Sequence, residues 1–174
     1  MNQITALRRN FAFALIGLLW GEAAIVALAA HHLSGHNAVA IAVTAGGLAA
    51  AASALWLVLG SSWQVRQVTS LVAVAQVMLL VYAFAGHSYQ PDIHMAFFAV
   101  LAILSGWLDW KIFVGATLAI ALHHTGLNLL YADGVFPGGG DLRRVLLHAV
   151  IVVLQALALG WLVDALPRSL IASD

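Results

Sequence analysis

Six apolar stretches, each about as long as a bilayer is thick, constrain the fold of this chain more than any other feature. They cover residues 10–30, 39–59, 68–85, 93–108, 112–130 and 142–166. A helix needs roughly 20 mostly apolar residues to cross the hydrocarbon core, so each stretch predicts one transmembrane helix. The joints between them are short and polar. We therefore predict an all-α polytopic membrane protein, in which residues 1–174 form a single six-helix bundle.

The composition agrees with a membrane location. Of the 174 residues, 63% are hydrophobic and only 8% are charged, whereas a soluble domain carries roughly 25% charged residues. The formal net charge is zero, which gives no reason to expect a nucleic-acid partner. The chain has no cysteine, so disulfides, thiolate metal ligands and thiol catalysis are excluded.

The basic residues predict the orientation of the bundle. If the N-terminus is cytoplasmic, the cytoplasmic side carries five of them: Arg8, Arg9, Arg66, Lys111 and Arg168. The outer side then carries two, Arg143 and Arg144. Cytoplasmic segments of membrane proteins have an excess of Lys and Arg. We therefore expect both termini to be cytoplasmic.

Histidine is unusually frequent, with eight residues, and the histidines inside spans fall at one depth. In the orientation above, the outer halves of four spans carry ionisable side chains: Glu22, His94, His123, His124 and His148. At 1.5 Å per residue these groups lie roughly 5 to 12 Å below the outer boundary. Ionisable groups within a membrane are costly and usually mark a functional site.

Imidazole and carboxylate are common ligands of transition metals, so the pattern predicts a metal site. Copper or zinc is preferred, because paired imidazoles suit both. The expected ligands are Glu22, His94, His123, His124 and His148. An additional ligand, or a group that orients an imidazole, is expected among His87, Asp92 and Asn128. The other histidines are expected to be solvated loop residues: His31, His32 and His36.

Other functions fit the same residues. Two histidines on facing helices could ligate haem b, which would make a redox or gas sensor. A proton sensor would need no cofactor, because histidine titrates close to physiological pH. A membrane metalloenzyme with histidine ligands ranks below the sensors, because the sequence shows no nucleophile or general-base constellation beyond the carboxylates already named, so no enzymatic activity is predicted. A transporter ranks low too, since Gln76 and Gln155, the polar residues of the inner half, are expected to form interhelical hydrogen bonds.

An ordered series of motifs runs through the second half of the chain. They are residues 85–87 (AGH), 92–98 (DIHMAFF), 109–111 (DWK), 122–128 (LHHTGLN), 135–142 (VFPGGGDL) and 144–154 (RVLLHAVIVVL). In these motifs, over roughly residues 85–163, the chain resembles the N-terminal six-helix membrane region of bacterial methyl-accepting chemotaxis proteins. Similar regions precede some histidine kinases and diguanylate cyclases.

The resemblance implies a sensory input domain of the bacterial inner membrane. Its last helix would signal to a cytoplasmic domain of a longer receptor or to a separate partner, and the receptor would be a homodimer. The resembled pattern has histidine at His94, His123, His124 and His148. It often has one more histidine where this chain has Ala96.

Overall fold

The structure is a computed structural model that describes residues 3–34 and 37–172, and these ranges contain helices and turns but no strand. The helices are α1 (Gln3–Leu33), α2 (Ala38–Leu59), α3 (Trp63–Ala83), α4 (Gln90–Ile93), α5 (Ala96–Leu104), α6 (Lys111–Leu130) and α7 (Leu142–Ala172). Within the described ranges, α1, α2, α3, α6 and α7 are long and apolar enough to cross a membrane. The predicted helical membrane fold is confirmed at this level.

The fourth predicted span differs from the other five. Residues 93–108 are divided among the end of α4, α5 and a 3-10 turn at Ser105–Trp107. At the break, the backbone N–H of Met95 donates to the carbonyl of Asp92, and that of Phe97 donates to the carbonyl of His94, both at 3.1 Å. These bonds span three residues instead of four, so the segment is tightened at His94 and is not one continuous α-helix.

Arg8 closes the far end of this broken segment. Its guanidinium donates from Nε to the carbonyl of Trp107 (2.9 Å) and from Nη2 to the carbonyl of Leu108 (2.7 Å). Leu108 has a left-handed backbone conformation, with φ 50°, which is typical of a residue that ends a helix. A helix end leaves carbonyl groups without intrahelical donors, and Arg8 supplies donors from α1.

An ion pair joins the start of α3 to the loop before α6. Arg66 and Asp109 lie 2.9 Å apart, and both side chains are largely buried. The starts of α1, α3 and α6 and the end of α7 therefore meet at one end of the bundle. We call it the basic end, because one cavity there is lined by Arg8, Arg66, Lys111 and Arg168.

The core lies mainly among α1, α2, α3, α5 and α6, where large side chains such as Leu19, Leu101 and Trp107 are fully buried. The predicted interhelical bonds are confirmed: Gln76 donates to the carbonyl of Ala45 on α2 (2.9 Å), and Gln155 donates to that of Phe98 on α5 (3.1 Å). In contrast, α7 packs chiefly on α6, and much of its apolar surface is exposed.

Candidate metal centre

Three histidines from three segments meet at the other end of the bundle. His94 lies at the break between α4 and α5, His124 lies on α6, and His148 lies on α7. The ring centroids are 5.7 Å apart for His94 and His124, 5.6 Å for His124 and His148, and 6.1 Å for His94 and His148. We call these three residues the histidine cluster, and this end of the bundle the histidine end.

The three imidazoles are oriented by the same local contact. Each Nδ1 lies 2.8–2.9 Å from the backbone carbonyl oxygen of the residue four positions earlier: Gln90 for His94, Ile120 for His124, and Arg144 for His148. A carbonyl oxygen can only accept, so Nδ1 donates and Nε2 carries the lone pair. Metal-binding histidines are commonly oriented by such a bond from the other ring nitrogen.

The Nε2 atoms of His94 and His124 are buried and have no hydrogen-bond partner. A buried polar atom without a partner costs roughly 1–3 kcal/mol. The cluster therefore has unused lone pairs in a largely dry environment, which is the state in which imidazole binds a metal ion.

Two phenylalanines enclose the histidine cluster. The Phe136 ring is stacked on His94 (interplanar angle 9°, centroids 6.1 Å apart) and lies 5.9 Å from His124 and 5.3 Å from His148. Phe97, on α5, lies 6.3 Å from His94 and 5.5 Å from His124. Both phenylalanine side chains are buried. They keep water away from the imidazoles.

The sequence predicts no role for Phe136 in the VFPGGGDL motif, yet this loop places the Phe136 ring against all three imidazoles. The position of the loop is fixed by Asn128, whose Oδ1 accepts a bond from the backbone N–H of Asp141 (2.8 Å). The Arg144 guanidinium lies over the Phe136 ring, 5.4 Å from its centre. An aromatic residue next to a Pro-Gly turn was the available signal.

His123 lies beside the cluster and not within the triangle. Its ring contacts are with His124 (5.3 Å) and Phe97 (6.1 Å), and its Nε2 is also buried without a partner. Consecutive residues on a helix point about 100° apart. His124 faces His94 and His148, so its neighbour His123 points away from the triangle, and its ring contacts Phe97 on α5.

The structure does not bring Glu22 to the histidine cluster. Its side chain lines a separate cavity of about 190 Å³ between α1, α3 and α5, together with Gln76 and Ala96. No histidine is among the described residues that line this cavity. The prediction relied on depth in the membrane, whereas the direction in which Glu22 points depends on how α1 packs. Glu22 Oε2 and Gln76 Oε1 are both buried without partners there.

None of the three additional candidates is shown in contact with the histidine cluster, and two of them have local hydrogen bonds. The Nδ1 of His87 accepts a bond from the backbone N–H of Tyr89 (3.2 Å) within the loop before α4. Asp92 is exposed, and Asn128 holds the loop described above. His31 and His32 are exposed at the end of α1 with their rings 5.1 Å apart, and His36 lies outside the described residues.

The three imidazole rings lie slightly farther apart than they would around a bound metal ion. Within the described ranges, no group of three or more His, Asp or Glu side chains is arranged to hold a metal ion as it stands. Metal–nitrogen distances of about 2.0–2.1 Å would put the centroids of three imidazoles roughly 5 to 5.5 Å apart. The observed centroid distances of 5.6–6.1 Å are slightly longer. Binding would require the rings to close by about half an ångström.

Comparisons with known proteins give no relative from which a role could be transferred. No protein-family model matches the chain, and neither the search of curated proteins nor the search of solved structures gives a significant match.

Proposed function

We propose that this chain is a membrane sensory input domain that binds one transition-metal ion through His94, His124 and His148 and signals through α7. The observation that carries this proposal is the pair of buried Nε2 atoms, on His94 and His124, that have no hydrogen-bond partner. They belong to imidazoles that converge from separate segments, each already oriented through Nδ1. The proposal assigns binding and signalling to the chain, and no reaction.

The proposed topology has six crossings, with both termini in the cytoplasm of a bacterial cell. The Ser34 hydroxyl donates to the carbonyl of Ala83 (3.2 Å), so α1 and α3 end side by side. Trp107 and Asp109, in contrast, contact Arg8 and Arg66 at the basic end. Residues 90–107 would therefore be the fourth crossing. The excess of Lys and Arg at the basic end supports its cytoplasmic location.

The donor set favours a metal ion of low charge. The cluster consists of neutral imidazoles. Glu22, the carboxylate that the sequence predicts as a ligand, faces another cavity. A divalent ion held only by neutral ligands in a dry site would keep its whole charge uncompensated, which is costly in a low dielectric. Imidazole ligands suit copper as well as zinc. We therefore propose copper, as Cu(I), ahead of zinc.

The spacing of the rings supports an ion over haem. A haem between two axial histidines needs the plane between them to be free for the macrocycle. For any pair in the cluster, the third imidazole lies within 6.1 Å of both rings, and Phe136 lies within 6.1 Å of each. These side chains occupy the space that a macrocycle would need. A single ion needs no such space.

The position of His148 on α7 supplies a route for the signal. Ring closure on an ion would draw α7 towards α6 and the break between α4 and α5. A cavity of about 50 Å³ beside His124 and His148 leaves room for this movement. A ligand shifts a conformational equilibrium only if it binds one state better, and an ion that requires closed rings meets this condition. The end of α7 would then act on a cytoplasmic signalling domain or a separate partner, in a homodimer.

The test is metal binding by the purified protein, compared with a matched histidine variant. We expect one Cu(I) per chain in the wild type, and a loss of affinity of at least about 100-fold in His124→Ala, since outer contacts alone can be worth 10–100-fold. His32→Ala, an exposed histidine at the same end, is the control and should bind like the wild type. Glu22→Gln should also keep the metal.

Three results would contradict the proposal. They are a wild type that takes up neither copper nor zinc, an unchanged affinity in His124→Ala, and a Soret absorption band that depends on the cluster. The last result would establish haem instead. A signal that responds to pH after complete chelation would favour the cofactor-free proton sensor.

A further inference from the structure

The cavity at the basic end has more positive than negative charge. It has a volume of about 540 Å³ and lies between the starts of α1, α3 and α6 and the end of α7. Among the residues that the structure describes, the charged side chains that line it are Arg8, Arg66, Lys111, Arg168, Asp109 and Asp164. Four cations against two carboxylates leave an excess of two positive charges.

The excess of positive charge can be assigned to particular residues. Arg66 is paired with Asp109, and Arg168 is paired with Asp164. Arg8 donates only to uncharged backbone carbonyls through Nε and Nη2. The exposed Lys111 is the remaining cation, and both carboxylates that line the cavity are already in ion pairs. Among the residues that the structure describes, Arg8 and Lys111 have no carboxylate ion pair of their own, and although Asp109 also attracts Arg8, the lining keeps an excess of two positive charges, which suits an anionic ligand.

An apolar groove continues from this cavity between α6 and α7. Trp110 and Asp164 line both, so the two are contiguous. The groove has a volume of about 670 Å³, and its wall is mostly apolar: Phe113, Val114, Leu118, Val153, Leu157 and Trp161. It extends from Trp110 to Ala121 along α6, which is roughly 16 Å at 1.5 Å per residue. This length is about half the roughly 30 Å of a bilayer core, the depth of one leaflet.

We propose that the cavity and the groove together bind one anionic phospholipid, with its phosphate between Arg8 and Lys111 and an acyl chain between α6 and α7. A free phosphate compound would use the cavity but leave the groove without an apolar occupant. A neutral lipid would fill the groove but leave the positive charge unmatched. An anionic lipid satisfies both, and tryptophans such as Trp110 and Trp161 are typical of the level at which headgroups lie.

The bound lipid would affect the helix that we propose carries the signal. Because α7 packs chiefly on α6, a chain inserted between these two helices sets their separation. The headgroup would also link Arg8 on α1 to Lys111 at the start of α6. The groove reaches Thr117 and Val153, which line the cavity beside His124 and His148 as well. Lipid binding itself does not depend on the metal proposal, and either can fail while the other holds.

The test uses native mass spectrometry of the purified full chain with phosphatidylglycerol or phosphatidylcholine added. We expect one phosphatidylglycerol to be retained saturably, and phosphatidylcholine to be lost. Lys111→Gln should weaken retention about fivefold, the usual effect of one basic residue near an anionic membrane surface. The exposed Arg143→Gln, at the histidine end, is the matched control and should have no effect.

A second variant tests the groove. A Cβ at Gly160 would lie 3.8 Å from Trp110 Cβ, so Gly160→Leu should fill the groove and abolish saturable retention. Gly47→Leu is the control, because Gly47 is exposed on α2 with no atom within 4 Å of an added Cβ. Equal retention of the two lipids, or no effect of either Lys111→Gln or Gly160→Leu, would overturn the proposal. Displacement by millimolar inorganic phosphate alone would overturn it in favour of a soluble phosphate ligand.

Discussion

The two ends of the bundle differ in how their buried ionisable side chains are satisfied. At the basic end, Arg66 is paired with Asp109, and Arg8 bonds two backbone carbonyls that the broken fourth segment leaves free. At the histidine end, His94 and His124 each keep a buried Nε2 without a partner. Satisfied polar groups stabilise the fold, whereas unsatisfied ones cost stability. The contrast indicates that the basic end holds the helices together and that the histidine end is kept available for a ligand.

The strongest test of this contrast is the removal of Asp109. Asp109→Ala leaves Arg66 largely buried without its counter-charge, and breaking a buried pair costs about 3–5 kcal/mol. Because both side chains retain some exposure, we expect a loss of about 2–3 kcal/mol in the free energy of unfolding in detergent. Asp164→Ala is the control, since the pair of Asp164 and Arg168 is exposed and should be worth less than about 1 kcal/mol. Equal losses in the two variants would contradict a structural role for the Arg66 pair.

A second test at the basic end concerns Gly106. A Cβ at this position would lie 2.4 Å from the Phe11 ring, which packs edge-on against Trp107. Overpacking of a core costs about 1–3 kcal/mol, so Gly106→Ala should lower the unfolding free energy by about 2 kcal/mol. Gly126→Ala is the control, because nothing lies within 4 Å of its added Cβ. An unchanged melting temperature in Gly106→Ala would show that Phe11 can move aside freely.

Hydropathy could predict most of the fold, because it measures what crosses the hydrocarbon core. It identified the five long helices but not all of their ends: the apolar stretch at 10–30 corresponds to a helix over Gln3–Leu33, which is longer at both ends. Helical hydrogen bonds continue beyond the apolar run. It could not predict the break at His94 or the left-handed Leu108, because neither changes the apolar character of the fourth segment.

For the candidate site, the sequence predicts how deep in the membrane each side chain lies but not the direction in which it points from its helix. Counting residues brought Glu22 and the in-span histidines to one level, and His94, His124 and His148 do lie together. Glu22 faces a different cavity, since α1 packs with α2 and α3 while α7 packs on α6. Which face of a helix meets which neighbour is decided by tertiary packing, which a single sequence does not reveal.

At the histidine end, the expected effect on stability has the opposite sign. His124→Leu removes a buried Nε2 without a partner and leaves the backbone bond of α6 in place. We expect the metal-free protein to gain about 1 kcal/mol in unfolding free energy, because replacing an unsatisfied polar group by an apolar one removes its desolvation cost. Metal binding should be lost in the same variant.

His32→Leu provides the comparison for His124→Leu, since His32 is exposed and should change neither stability nor metal affinity. The measurement is thermal unfolding with and without Cu(I). If His124→Leu destabilises the metal-free protein as strongly as Asp109→Ala does, the contrast between the two ends is wrong, and the cluster is a structural element like the basic end.

The smallest effect is expected at Phe136, which contacts all three imidazoles without offering a ligand atom. Phe136→Leu keeps an apolar side chain at this position but loses the aromatic contacts, which are worth about 0.5–1.5 kcal/mol. We expect Cu(I) affinity to fall about fivefold, mainly through faster release, because water then reaches the site more easily. Phe13→Leu is the control, since Phe13 is exposed on α1 away from the cluster. Metal release at the wild-type rate in Phe136→Leu would mean that exclusion of water by Phe136 does not contribute to holding the ion, and that the three imidazoles alone set its affinity.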